Sequence, residues 1–349
     1  MTKARLKRAG VCATVVCSAG LASCWASDLH VGPGREFARI EDAVAKAASG
    51  DRVVVHARQG NAAYDKVAVI VSTTCVEIVA GEAGIRLSGE GFEYSGVGRV
   101  PRAIVQFDPG ADGASLCGFE LAGARNESNN GAGVRINQAS GVTIRGCDIH
   151  DNDMGVMSNG SLDAAGKGVG AKDQRFEVCH IHHNGSKREQ GYSHNLYLGG
   201  ESATLSRCVV EASIAGHNIK SRAKTTTIES CLVRGSANRE IDLVDAKGFT
   251  DREDSSALIL NSIIVKRENS AGNRGVVHFG RDGQADRRGR LTFASTIIVT
   301  HYATPAVQVT TPDAEVQGVG SLVVNTARRR ESGALVAGGA QVERLDAKK

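Results

Sequence analysis

The chain has 349 residues, with 42 Lys+Arg against 38 Asp+Glu, 41% hydrophobic and only 4% aromatic residues. Glycine is abundant (42) and proline scarce (5), which excludes collagen, argues against disorder and fits aliphatic strands joined by small turns. The formal charge of +4 comes from Lys3, Arg5, Lys7 and Arg8; without these four, 38 basic residues face 38 acidic ones, and the net basic face that a nucleic-acid binder needs is missing.

Those four basic residues precede an apolar run from Ala9 to Ala22 and then small residues. This is the layout of a secretory signal, too short to span a membrane, with cleavage expected after Ala26. A competing reading takes Leu21-Ala22-Ser23-Cys24 as a bacterial lipoprotein box with Cys24 lipidated; the absence of a flexible linker before Leu29 and the neighbouring Trp25 favour a soluble, periplasmic or secreted protein, and a monomer is expected.

From Val31 the chain reads Val-Gly-Pro-Gly-Arg-Glu-Phe. Between Ala38 and Ser49, Ile40, Ala43, Val44 and Ala47 then recur at helical spacing, with Gly50 as the stop. A short amphipathic helix followed by the apolar strand Val53-Val54-Val55 is how a solenoid closes an open end. Irregular repeats follow. Phe119, Cys147, Cys179, Cys208, Cys231, Ser262 and Thr296 align in one column, at steps of 28, 32, 29, 23, 31 and 34 residues. A step near 23 fits three short strands, and longer steps place their excess in the polar stretches 163–175, 187–192, 247–256 and 280–289. The expected fold class is all-β, a single right-handed parallel β-helix (solenoid) with a short N-terminal capping helix. Its expected extent is residues 27–324, followed by a polar tail over 325–349 containing Arg328, Arg329 and Arg330.

Three of the nine cysteines lie in the leader, and four of the other six occupy the aligned column. Stacked coils set equivalent residues about 4.8 Å apart. The column therefore reads as a core ladder of small hydrophobes rather than a disulfide framework. There is no Cys-x-x-Cys pair and no histidine cluster with zinc spacing, so no thiolate metal site is expected. His150, His180, His182 and His183 read as surface residues near turns.

The site is expected where three phrases repeat: His194-Asn195-Leu196-Tyr197-Leu198, His217-Asn218-Ile219-Lys220-Ser221 and Arg239-Glu240-Ile241-Asp242-Leu243. Alternation buries Leu196, Ile219 and Ile241 and turns Tyr197, Lys220 and Asp242 outward, with His278 continuing that column. Arg222 lies beside Lys220, and Gly199 and Gly280 at equivalent places leave open ground around it. His194, His217 and Arg239 form a second column and Asn195, Asn218 and Glu240 a third, both at the margin. Lys, Arg, Tyr and His gathered on one sheet suit a carboxylated sugar: a cation neutralises the uronate, a base removes the C5 proton and an acid assists departure of O4. Lys220 is the expected base, Tyr197 or His217 the acid, and Arg222 and Arg239 the carboxylate clamps; Lys220 and His217 could exchange roles. His194, Asn195, Asn218, Arg239, Asp242 and His278 are expected to bind substrate. The competing structural readings are an asparagine turn ladder (Asn195, Asn218), half-buried corner histidines (His194, His217) and a solvated ion-pair ladder (Lys220, Arg222, Asp242).

The cap and the coils together resemble the pectate-lyase-like superfamily of secreted right-handed parallel β-helices. The resemblance implies a polysaccharide-directed function and an acidic polysaccharide as partner, without fixing the activity, since the superfamily includes lyases, epimerases, hydrolases, esterases and non-catalytic proteins. Polygalacturonase-like hydrolases need grouped aspartates, and Gly216-His217-Asn218-Ile219-Lys220 only echoes their phrases. Pectate lyases bind calcium through clustered aspartates. Ca2+ through Asp148, Asp151 and Asp153 is therefore implied as a candidate, though no cofactor is required by the sequence. A lyase or C5-epimerase is expected, with a non-catalytic glycan-binding or surface protein as the alternative.

Overall fold

Short strands stack coil upon coil in this computed structural model, which describes residues 26–344 apart from 189–190, 284, 313, 328, 332–333 and 337–340. Apart from Ala26, the expected leader and its alternative at Cys24 lie outside the described residues. Each full coil visits three parallel sheets in turn, as in Ser202–Ser206, Val209–Glu211 and Ile219–Ser221. The first sheet has eleven strands, from Asp28–Val31 to Ala314–Val319. The second has ten, from Ile85–Ser88 to Leu322–Asn325 with Gln341–Arg344 added antiparallel at its end. The third runs from Val69–Val71 to Val307–Val309, and a hairpin strand, Gly168–Gly170, pairs with the long end of Met154–Leu162. The fold is the expected right-handed parallel β-helix. Past residue 324 the chain carries strands Arg329–Glu331, Ala334–Val336 and Gln341–Arg344.

The register of the three repeated phrases is the expected one. Leu196 pairs with Ile219, Ile219 with Ile241 and Ile241 with Val277, and the next column runs Tyr197, Lys220, Asp242, His278. The aliphatic column is fully buried because alternation aims it at the axis of the solenoid. The helix Ile40–Lys46 lays Ile40, Ala43 and Val44 over the N-terminal end of that core, and Glu41 accepts the backbone N–H of Ala68 at 2.9 Å.

The cysteine column stands at the start of the second-sheet strands, buried and free of disulfides. Cys179 and Cys208 each donate Sγ–H to a carbonyl of the preceding coil, Ile144 at 3.4 Å and Phe176 at 3.3 Å. It is a ladder of small buried groups that fills the corner between the first two sheets.

A second ladder fills the corner before the third sheet. Asn152, Asn184, Asn195 and Asn218 pass side-chain amide bonds along the corner at 2.7–3.0 Å, the Asn184–Asn195 link closing the loop within one coil and the others joining successive coils, and Asn218 ends the run on Glu240 at 2.6 Å. All five are fully buried, and Lys266, also fully buried, stands 3.6 Å from Glu240. Because a buried amide left unpaired costs about 1–3 kcal/mol, this chain fixes the register at the corner as firmly as the aliphatics fix it on the sheet.

Ile219→Ala should cost about 2–5 kcal/mol as a buried large-to-small change. Asn218→Ala, which takes the acceptor from the Ser213 N–H and one partner each from Asn195 and Glu240, should cost about 1–3 kcal/mol. Exposed Tyr192→Ala should stay within about 0.5 kcal/mol. Urea unfolding checks all three, and an Asn218→Ala midpoint equal to that of Tyr192→Ala would remove the ladder from the account of stability.

Candidate functional site

The outward column of the third sheet is covered, not solvated. Asp242 is only 1% exposed, and four groups surround its carboxylate: His278 Nδ1 at 2.8 Å, Arg239 at 2.9 Å, His217 Nε2 at 3.2 Å and Lys220 Nζ at 3.6 Å. Burial pushes this carboxyl upward, but His217, His278, Lys220 and Arg239 together outweigh burial and hold it well below the ordinary range.

The two histidines of the neighbouring column are committed to backbone. His194 Nδ1 accepts the N–H of His217 at 2.9 Å, and His217 Nδ1 accepts the N–H of Arg239 at 3.1 Å. The hydrogen of His217 therefore sits on Nε2, facing Asp242. Burial, opposed by Asp242, pushes His217 down to about 4, so it is neutral at neutral pH. His194 is held well below its usual value by burial and by His217. Its ring stacks on Tyr197 at 5.8 Å.

A loop within 280–289 roofs the column. Asp245 accepts the backbone N–H groups of Asp282 and of Ala285, the latter at 2.6 Å. Arg287 is fully buried, donates to the Val244 carbonyl at 2.9 Å and lies 4.5 Å over the Phe279 ring. Burial, opposed by Asp245 and Asp242, brings this guanidinium down to about 9. So pinned, the loop delivers the Asp282 carboxylate to Lys220 Nζ at 2.8 Å and to the guanidinium of Arg222.

Beside this cluster lies a cleft of about 260 Å³. One wall is the hairpin that includes Asn159, Gly160 and Leu162, another is the turn with Lys247 and Phe249, and Tyr197, Gly199, Gly200 and Arg222 complete it. Its floor requires glycine: Gly200 has φ +93°, and a Cβ there would lie 2.5 Å from the Ala171 carbonyl oxygen.

Of the expected site residues, Tyr197 and Arg222 line the cleft, and Lys220, outside that lining, pairs with Tyr197 two residues before Arg222. Lys220 is only 8% exposed and Asp242 less, so the expectation that both face open solvent is corrected: the Asp282 loop and their own ion pairs cover them. Arg239 and His278 hold Asp242, His278 also bonding Thr310 at 2.7 Å, instead of standing free for a ligand. His194, Asn195, His217 and Asn218, expected at an accessible margin, are at most 4% exposed and serve as ladder and backbone partners. His217 Nδ1 is committed to the Arg239 N–H and its Nε2 faces the Asp242 carboxylate at 3.2 Å, so the ring is turned to the buried layer and away from the cleft. Asp148, Asp151 and Asp153 turn to separate partners, His182, His150 and Arg125, and form no shared oxygen cage with one another. Asp282, Asp245, Arg287 and Phe249 were not singled out from sequence; all lie in or beside the long insertions, where no repeat fixes a register.

Residues 113–270 match the sequence family described as the right-handed beta helix region. Among solved structures the chain is similar to an alginate lyase from Paenibacillus sp. str. FPU-7, with 14% identity, a TM-score of 0.58 and coverage of 84% of this chain and 94% of that one. It is also similar to pectate lyase Pel9A (11% identity, TM-score 0.50, 82% and 78% covered) and to ORF18 of Geobacillus virus E2 (10%, 0.51, 83% and 58%). At these identities the likeness is one of fold. No curated protein matches the chain. Among the described residues no helix is long and apolar enough to cross a membrane.

The corner ladder carries a pH signature. Burial raises the Glu240 carboxyl from 4.5 to about 7, against the opposing pull of Lys266, Ser236 and Asn218. A folded-state value above the unfolded one contributes stability that is complete below pH 4.5 and is lost as pH rises through 7. His217, lowered from 6.5 to about 4, contributes oppositely: its share is complete above pH 6.5 and is lost as pH falls through 4. The difference between wild type and Glu240→Gln isolates the first term. Wild type should lose stability relative to Glu240→Gln between pH 4.5 and 7; urea curves that stay parallel across that window would contradict the assignment.

Proposed function

We propose that this pectate-lyase-like β-helix is a lyase or C5-epimerase acting on a uronate-containing polysaccharide. One observation carries the reading: Lys220 Nζ and the Arg222 guanidinium converge on a carboxylate, that of Asp282, at the edge of the cleft. A guanidinium that holds one carboxylate at the mouth of a cleft has the chemistry to hold that of a uronate, and the amine beside it can then serve as the base for the C5 proton. Asp282 then stands in the free protein for the substrate group that displaces it.

With the uronate on Arg222, its negative charge is neutralised and the C5 proton becomes more acidic. Lys220, once the Asp282 carboxylate has left and the amine is neutral, takes that proton. The C5–H electrons form the C4=C5 double bond as the C4–O4 bond breaks, and Tyr197 gives its phenolic proton to O4. An epimerase would share the first step and return a proton to the opposite face of C5. The cleft walls favour an enzyme over a flat binding platform. Inverting or retaining hydrolysis is disfavoured, because it needs a protonated carboxyl acid at the cleft: Asp242 is held ionised by its four partners, and Glu240, whose carboxyl is raised, is fully buried in the corner ladder.

The test is to incubate purified protein with pectate, alginate, glycosaminoglycans and bacterial exopolysaccharides, following the unsaturated uronyl product by ultraviolet absorbance and C5 exchange in D2O. On the polymer that reacts, Lys220→Ala and Tyr197→Phe should each lower kcat by about 10²–10⁴-fold with binding retained. Arg222→Ala should weaken binding and turnover together, and Asp282→Asn should lower KM by removing the resident carboxylate. Absence of both absorbance and exchange with every uronate polymer, or wild-type turnover by Lys220→Ala, would sink the proposal.

A further inference from the structure

We propose that Asp148, His150 and His182 form a site for a divalent transition-metal ion, such as Zn2+, on the outer face of the second sheet. Asp148 and His150 are two apart on one strand and so share a face, and the parallel register sets His150 against His182 and Asp148 against His180 of the next coil. One ligand atom from each of Asp148, His150 and His182 lies within 4.8 Å of the other two. His182 Nε2 already meets Asp148 Oδ1 at 2.9 Å. Donors around a tetrahedral zinc stand about 3.3 Å apart, given bonds of about 2.0–2.1 Å. Small side-chain rotations that open the 2.9 Å contact and draw His150 inward would therefore admit the ion.

The surroundings are those of a ligand set. The far nitrogen of each imidazole has its own partner: His150 Nδ1 meets the Asp151 carboxylate at 2.8 Å, and His182 Nδ1 meets His183 at 2.7 Å. Such partners fix ring orientation and leave Nε2 for the ion. Both rings are mostly buried, with 17% of each side chain exposed, whereas Asp148 at 46% keeps the site open to solvent and to a water ligand. His180 meets Glu211 through Nε2 at 2.9 Å and places Nδ1 3.5 Å from Asp148 Oδ1, and Glu120, 3.3 Å from His150 Nε2, is tied to Arg86 at 2.8 Å. Two imidazoles and one carboxylate with an open fourth position is a donor set that suits zinc, copper or nickel over calcium. Spacing along the chain hides it, since the two histidines come together across a 32-residue coil.

The experiment is a calorimetric titration of tag-free, metal-stripped protein with ZnCl2. Wild type should take up one equivalent. His150→Gln and His182→Gln should each lose at least about tenfold in affinity, and Asp151→Asn, which touches only the far nitrogen, should lose about 10–100-fold. Because a variant could fail to fold, wild type is also treated with diethyl pyrocarbonate: Zn2+ should slow modification of His150 and His182 but not of His30. Calorimetry showing no zinc uptake by wild type, equal uptake by both glutamine variants, or no zinc-dependent protection would each overturn the site.

Discussion

Burying a carboxylate costs several kcal/mol unless cations and donors surround it, and Asp242 is surrounded by groups from three successive coils. His217 and Lys220 come from the coil before, Arg239 from its own, His278 from the coil after. This arrangement exists only because parallel strands in exact stacking place equivalent residues about 4.8 Å apart. A slip of one residue would turn the whole column into the core. The register is in turn held from two directions, by the aliphatic column inside and by the amide ladder at the corner.

The chemistry on the outside of the sheet is therefore layered. Nearest the backbone, His194 and His217 accept N–H groups of the following strands and cannot reach a ligand. Above them Asp242 and its partners form a buried charged layer. Above that, Lys220 and Arg222 meet the Asp282 carboxylate, which an insertion pinned by Asp245 and Arg287 brings over the sheet. Of these layers only the top one reaches the cleft, through Arg222, with Tyr197 of the neighbouring strand beside it. Residues of similar type thus have different work according to depth.

Depth is what could not be read from the sequence. Alternation and the 23-residue step made the coil, the pairing of Tyr197 with Lys220 and Asp242, and the burial of Leu196, Ile219 and Ile241 legible, because strand period and coil period are local properties. The cysteine column was legible for the same reason. Asn195 and Asn218 could equally have lined a groove or a turn; full burial with Asn152 and Asn184, which lie in differently spaced repeats, decided for the turn. Asp282 and Phe249 were hidden because insertions have no register. The His150–His182 pair was hidden because contact across coils leaves no short motif.

The most direct measurement is a crystal structure of Lys220→Ala soaked with an oligouronate. A uronate carboxylate paired with Arg222, with the Asp282 carboxylate displaced from that seat, is the predicted result. An oligosaccharide bound elsewhere, or one bound in the cleft with Asp282 still paired to Arg222, would contradict the claim that Arg222 seats the substrate's carboxylate.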